Sequence, residues 1–230
     1  MSSTATRRSL VLVAYCLLYI AYLFVAVKIE NEWTHYLTLV LFPTGILLLL
    51  MRQEGLSPRS GLLAIWGLVN QERKRLGPGI LAAILVGGTL GALQIMLSRD
   101  REIIYQAFSS GEFLYAFPIA TGLMLVTAGF TEEYFFRGLL QSSLTASLQS
   151  RFWAVTISSV AFGLYHLPYA YLLESWPSHG NLASAISEGV IPSIVLGAVF
   201  GMLYSRFRNL AVPILAHSIF NAYWAMKLFL

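Results

Sequence analysis

Residues 10–27 read LVLVAYCLLYIAYLFVAV, a run without a single charge. A bilayer offers no water to satisfy backbone N–H and C=O groups, so such a run must close its own hydrogen bonds as a helix. The sequence repeats the pattern, with candidate spans at 9–27, 34–51, 79–97, 113–138, 152–173, 189–205 and 211–229. Each lies near the ~20 residues that cross a hydrocarbon core. The expectation is an all-α, polytopic transmembrane helix bundle of seven to eight spans. It forms a single membrane domain over 1–230, and the site described below lies inside the bundle.

Only 11% of the residues are charged, against roughly a quarter in a soluble domain. A water-soluble fold is excluded on that ground. The pI of about 9.3 bears on loop orientation, and no basic patch interleaved with aromatics points to a nucleic-acid partner. Cys16 is the one cysteine, so no intrachain disulfide or cysteine-based metal cluster can form. The opening MSSTATRRS resembles a signal peptide, but the apolar run behind it exceeds the ~7–15 residues of such a core. The stretch LLAIWGLV (62–69) is too short to span and reads as an interfacial helix. It leads into QERKRLGPG, a loop with a basic cluster.

With the N-terminus inside, eleven of the fifteen Lys and Arg residues fall on the inner side and four on the outer. Without Arg137, which lies within a span, the inner count is ten. The positive-inside rule therefore predicts a cytoplasmic N-terminus, with 52–78 and 139–151 also cytoplasmic. Asp100 falls in an outer loop.

Glu132, Glu133, Arg137, His166 and His217 lie in or near the membrane on this map. Such groups normally face a bundle interior or wet cavity and pair with one another. Glu133 and Arg137 are four residues apart and share a helix face, so an ion pair is expected. Glu132 points about 100° away and is free for another partner. A structural ion pair with a spare glutamate would need no more than this. His217 and Asn221 are also four apart and share a face of the last span. Two histidines, an amide and a free carboxylate together supply a base, proton carriers and a donor, the minimum for hydrolysing an acyl bond. Pro168 is expected to disturb the helix after His166. The chain lacks the second aspartate of a paired-aspartate protease, an H-E-x-x-H string and a G-x-S-x-G elbow.

E-E-x-x-x-R (Glu132, Glu133, Arg137), F-x-x-x-H (Phe162, His166) and H-x-x-x-N (His217, Asn221) occur in that order. In this the chain resembles the CPBP family of intramembrane proteases, which takes in CAAX prenyl endopeptidases and bacterial Abi-type proteins. The motif-bearing core is 113–225. The resemblance implies that Glu132 activates a water with His166 assisting. It further implies that His217 and Asn221 stabilise the oxyanion while Glu133 and Arg137 orient the site. A carboxylate acting as base must escape a cation's field, which favours Glu132 over Glu133.

Members of the family have been described both as glutamic and as metal-dependent proteases. No cofactor is expected on the favoured reading; if zinc is used, Glu132, His166 and His217 are its ligands. The expected partners are the lipid bilayer and a membrane-anchored protein or peptide substrate cut near its C-terminus, either a prenylated tail or a bacterial precursor. The localisation expected is a prokaryotic cytoplasmic membrane. A non-catalytic Abi-type immunity or scaffold protein and a proton-coupled transporter are the competing functions. One tension stands in this map. Glu132 falls nearer the inner side and His166 nearer the outer, so they meet only if the fourth span begins later or the fifth tilts or ends at Pro168.

Overall fold

The computed structural model describes residues 3–57, 59, 63, 76–98 and 101–230. The stretch 62–69, the basic loop before the third span and Asp100 lie almost wholly outside the described residues. Among the described residues nine helices are formed, beginning with α1 (Ser3–Ala26), α2 (Glu32–Gln53), α3 (Leu76–Leu97), α4 (Arg101–Ser110) and α5 (Phe113–Val126). They are followed by α6 (Ala128–Leu148), α7 (Arg151–Leu172), α8 (Leu182–Phe207) and α9 (Ala211–Ala225). The all-α expectation holds, with no strand among the described residues. By length and hydropathy α1, α2, α3 and α8 can each cross a membrane, and the bent pair α5/α6 brings the number to five at most. Seven spans are therefore not all recovered on those two criteria. Leu17, Leu18, Val25, Leu81 and Met202 point outward from these helices, as lipid-facing side chains do.

The fourth expected span, 113–138, is the main correction. It breaks at Thr127, whose backbone leaves the helical region (φ −109°, ψ −119°), and the two arms meet at 40°. Gly129 lets the restarted helix press against Ser218 of α9, where a Cβ would collide with the serine hydroxyl. The expected loop 139–151 is also mostly helix, since α6 continues to Leu148 and ends with Gln149 in a left-handed conformation (φ 52°). No Pro or Gly interrupts LLQSSLTASL, so nothing stops the helix earlier. Part of the expected outer loop is α4. Pro168 does not end α7, which runs on to Leu172. Proline removes one N–H from the ladder, and the Leu173 N–H still reaches the Tyr169 carbonyl at 3.1 Å beyond it.

Helix α9 is the central post, buried on nearly every side. It packs most extensively on α3 and α5, while α7 pairs with α8. The contact with α3 is written in small residues: Gly79, Ala83, Gly87 and Gly91, one per turn, are the buried face of that helix. A Cβ at Gly87 would strike the Ala216 carbonyl and one at Gly91 the Tyr223 ring. Between apolar helices in lipid, close backbone approach replaces the missing hydrophobic drive. Helix α6 is enclosed still more completely, with every residue from Thr131 to Gln141 buried. Over Tyr134–Gln141 it widens into π-helical geometry, a form that recurs at functional sites.

Candidate active site

The break at Thr127 carries Glu132 and Glu133 into the bundle, where α6, α7 and α9 converge. Glu133 is fully buried and Arg137 is 1% exposed; Arg137 Nη1 donates to Glu133 Oε1 at 2.8 Å. The helix-face argument for this pair thus matches the geometry. The guanidinium's second arm, Nη2, donates to the Gly197 carbonyl of α8 at 3.1 Å. One turn later Gln141 Nε2 donates to the Gly201 carbonyl at 3.0 Å. Both acceptors are glycines, so no side chain stands between α6 and the α8 backbone. Aromatic rings wall the cation: its Cζ lies 4.4 Å from the Phe162 centroid and 5.7 Å from that of Phe200, within cation–π range.

His217 of α9 completes the arrangement on the other side of Glu133. Its Nδ1 is 2.8 Å from Glu133 Oε1. A carboxylate only accepts, so Nδ1 carries a proton and Nε2 is turned to the site. That Nε2 lies 4.0 Å from Glu132 Oε2, too far for a direct hydrogen bond and a distance that one water can bridge. Phe200 stacks on the imidazole at 4.9 Å. His166 of α7 has its Nδ1 2.8 Å from the Phe162 carbonyl. The carbonyl again fixes the proton on Nδ1 and leaves Nε2 to accept. Phe162 touches both rings, at 4.6 Å from His166 and 5.9 Å from His217. Asn221 follows His217 by one turn of α9 and is half-buried, with no hydrogen bond to another described residue.

Both glutamates keep an Oε2 that is buried without a hydrogen-bond partner. Glu133 is held through its Oε1, whereas Glu132, 7% exposed, makes no hydrogen bond to another described residue. Of the routes that would bring Glu132 to His166, a later start of the fourth span's second arm is seen, at Ala128, while α7 does not end at Pro168. For zinc, both Nε2 atoms are suitable donors. Among the described residues, however, no three His, Cys, Asp or Glu side chains are gathered closely enough to hold an ion.

A second polar cluster, which the sequence reading missed, adjoins the site. Glu30 Oε2 accepts from the Tyr169 hydroxyl at 2.7 Å and from His35 Nε2 at 2.9 Å, and Tyr19 donates to Oε1 at 2.9 Å. The hydroxyls of Tyr169 and Tyr165 are 3.3 Å apart, and the Tyr165 ring lies 5.1 Å from His166. Asn31 holds this corner in place by capping α2, accepting from the backbone N–H groups of Trp33 and Thr34 at 3.0 and 3.2 Å. The available signal was Tyr165 and Tyr169, polar residues flanking His166 at helical spacing.

Residues 112–223 match the family model for Type II CAAX prenyl endopeptidase Rce1-like proteins. Over these residues, just under half of its length, the chain is similar to that family. The match begins just before α5 and ends in α9, so it contains the broken helix and all three motifs. No curated protein and no solved structure matches the chain. The match to the CAAX endopeptidase family and the several bilayer-length helices point to an integral membrane protease.

Proposed function

We propose that the chain hydrolyses a peptide bond near the C-terminus of a membrane-anchored protein, using a water activated by Glu132. The observation that carries this reading is the Glu132 carboxylate, buried without a hydrogen bond and 4.0 Å from His217 Nε2. An unsatisfied buried acceptor costs about 1–3 kcal/mol, more when charged, and of the two adjacent glutamates Glu132 is the one that no hydrogen bond within the described protein engages.

In the reaction Glu132 takes a proton as the water oxygen bonds to the scissile carbonyl carbon. The carbonyl π pair moves to its oxygen, which receives N–H groups from His217 Nε2 and Asn221. Collapse breaks the C–N bond, and the proton on Glu132 passes to the leaving amine. His166, with Nε2 as acceptor, holds the water in line. Glu133 keeps the His217 ring turned, and Arg137 in turn holds Glu133 in place. Preorganised donors of this kind lower the barrier because they need no reorientation as charge develops. The family's name points to prenylated tails, and the substrate we propose is of that membrane-anchored class.

Comparative proteomics of cells carrying the wild-type chain or Glu132→Gln tests the reading. One or a few uncleaved membrane precursors accumulate in the variant; identical membrane proteomes overturn it. Elemental analysis of active, chelator-washed protein tests the metal-free mechanism, which stoichiometric zinc lost together with activity would refute.

A further inference from the structure

The seam between α7 and α8 has two sides. On its inner side Arg137 and Gln141 reach the α8 backbone. On its outer side lies a groove of about 490 Å³, within the ~300–1,000 Å³ of ligand pockets. Its floor is made by small residues, Ser159 and Ala198, and its walls include Phe152 and Met202, 69% and 56% exposed. Arg151 and Arg206 line the same groove. Arg151 opens α7 and Arg206 falls in the last turn of α8, so both sit at one end of two antiparallel helices. The groove is thus an apolar slot running up the bundle wall with two cations at its foot.

We propose that this groove is a binding site for an anionic phospholipid, with the headgroup phosphate on Arg151 and Arg206 and an acyl chain in the slot. Three observations select this occupant. The slot opens on the outward wall among exposed apolar side chains, where the surrounding medium is lipid. Its charge is gathered at one end, as a lipid's is. That end is the inner side on the Lys/Arg asymmetry, where anionic headgroups and basic pockets between helices meet.

The location also gives the lipid a consequence for the fold. Ser159 on the floor packs against Gly197, whose carbonyl receives Arg137, and Ser205 of the lining accepts from Gln141 Nε2 at 3.0 Å. A chain filling the slot braces the α7–α8 seam from behind the residues that hold α6 in place.

The test uses the full chain, delipidated in a neutral detergent, with dioleoyl-phosphatidylglycerol and dioleoyl-phosphatidylcholine as probes. Native mass spectrometry counts bound lipid, and thermal unfolding reads its effect. Phosphatidylglycerol binds and raises the melting temperature, whereas phosphatidylcholine does so weakly. Arg151→Gln/Arg206→Gln loses about tenfold or more in phosphatidylglycerol affinity while melting like wild type in phosphatidylcholine. A second variant, Ala198→Phe, fills the slot with both arginines intact and also abolishes tight binding. Equal binding of the two lipids overturns the proposal. So does undiminished phosphatidylglycerol binding by both variants, or a dimer held by the groove in place of lipid.

Discussion

Glu133→Gln is the substitution whose effect the structure constrains most tightly. Glu133 Oε1 receives two hydrogen bonds of 2.8 Å, from Arg137 Nη1 and His217 Nδ1, and none of the three side chains is more than 5% exposed. The amide keeps the shape and one acceptor oxygen but removes the charge. A guanidinium then remains in the bundle with only a carbonyl at Gly197 and aromatic rings around it. Removing one partner of a buried ion pair costs about 3–5 kcal/mol, so the variant should lose stability of that order. Glu132→Gln provides the internal control. Its carboxylate makes no hydrogen bond to the protein, so the swap leaves no partner stranded and stability should stay within about 1 kcal/mol of wild type, even as turnover disappears. Unfolding in mixed micelles, followed by tertiary fluorescence against increasing SDS, measures both. Equal stability of the two variants would refute the assignment of separate roles to adjacent glutamates.

Three further outcomes are expected. Asn221→Ala should lower kcat by about 10²–10³ with little change in KM, as loss of one oxyanion donor does; single-turnover kinetics on a reconstituted substrate measures the split. The Glu30 corner should make stability fall in acid. Burial pushes this carboxyl up, but hydrogen bonds from His35, Tyr169 and Tyr19 outweigh it and hold it below the ordinary range. Its contribution is therefore complete above the ordinary carboxylate value of about 4.3 and disappears as pH falls through the lowered folded value. Glu30→Gln should flatten that acid limb in melting curves taken from pH 6 downward. For orientation, a Cys16→Ala background carrying Ser175→Cys should react with an impermeant maleimide added outside intact cells, and one carrying Arg52→Cys should not; the reverse pattern would invert the topology.

The pairing of Glu133 with Arg137 was legible because it is local, set by four residues of one helix. The rest of the site required knowing which helices meet. His217 lies 84 positions from the glutamate it bonds, and Tyr169 lies 139 from Glu30, separations over which periodicity carries no information. The break at Thr127 was hidden for a different reason. TAGF holds no proline, and its one glycine matters through its contact with Ser218 on another helix. Bilayer-length hydropathy located helices well but marked their ends poorly, since α6 and α8 extend beyond their apolar stretches on polar turns. The small-residue face of α3 was present in the sequence as Gly79, Ala83, Gly87 and Gly91, yet its meaning depended on the helix opposite.

That face also bears on where this protein can be cut. The family match starts at residue 112, and α3 lies wholly before it. Helix α9, which carries His217 and Asn221, is shaped on one side to a partner that the matched segment does not contain. A fragment beginning at α4 would leave the Ala216 carbonyl and the Tyr223 ring facing lipid across a trench that ordinary side chains are too large to fill. The motif-bearing stretch is therefore a core in need of its own casing. Transplanting it into another membrane scaffold would require α3, or a helix with the same empty stripe, to travel with it.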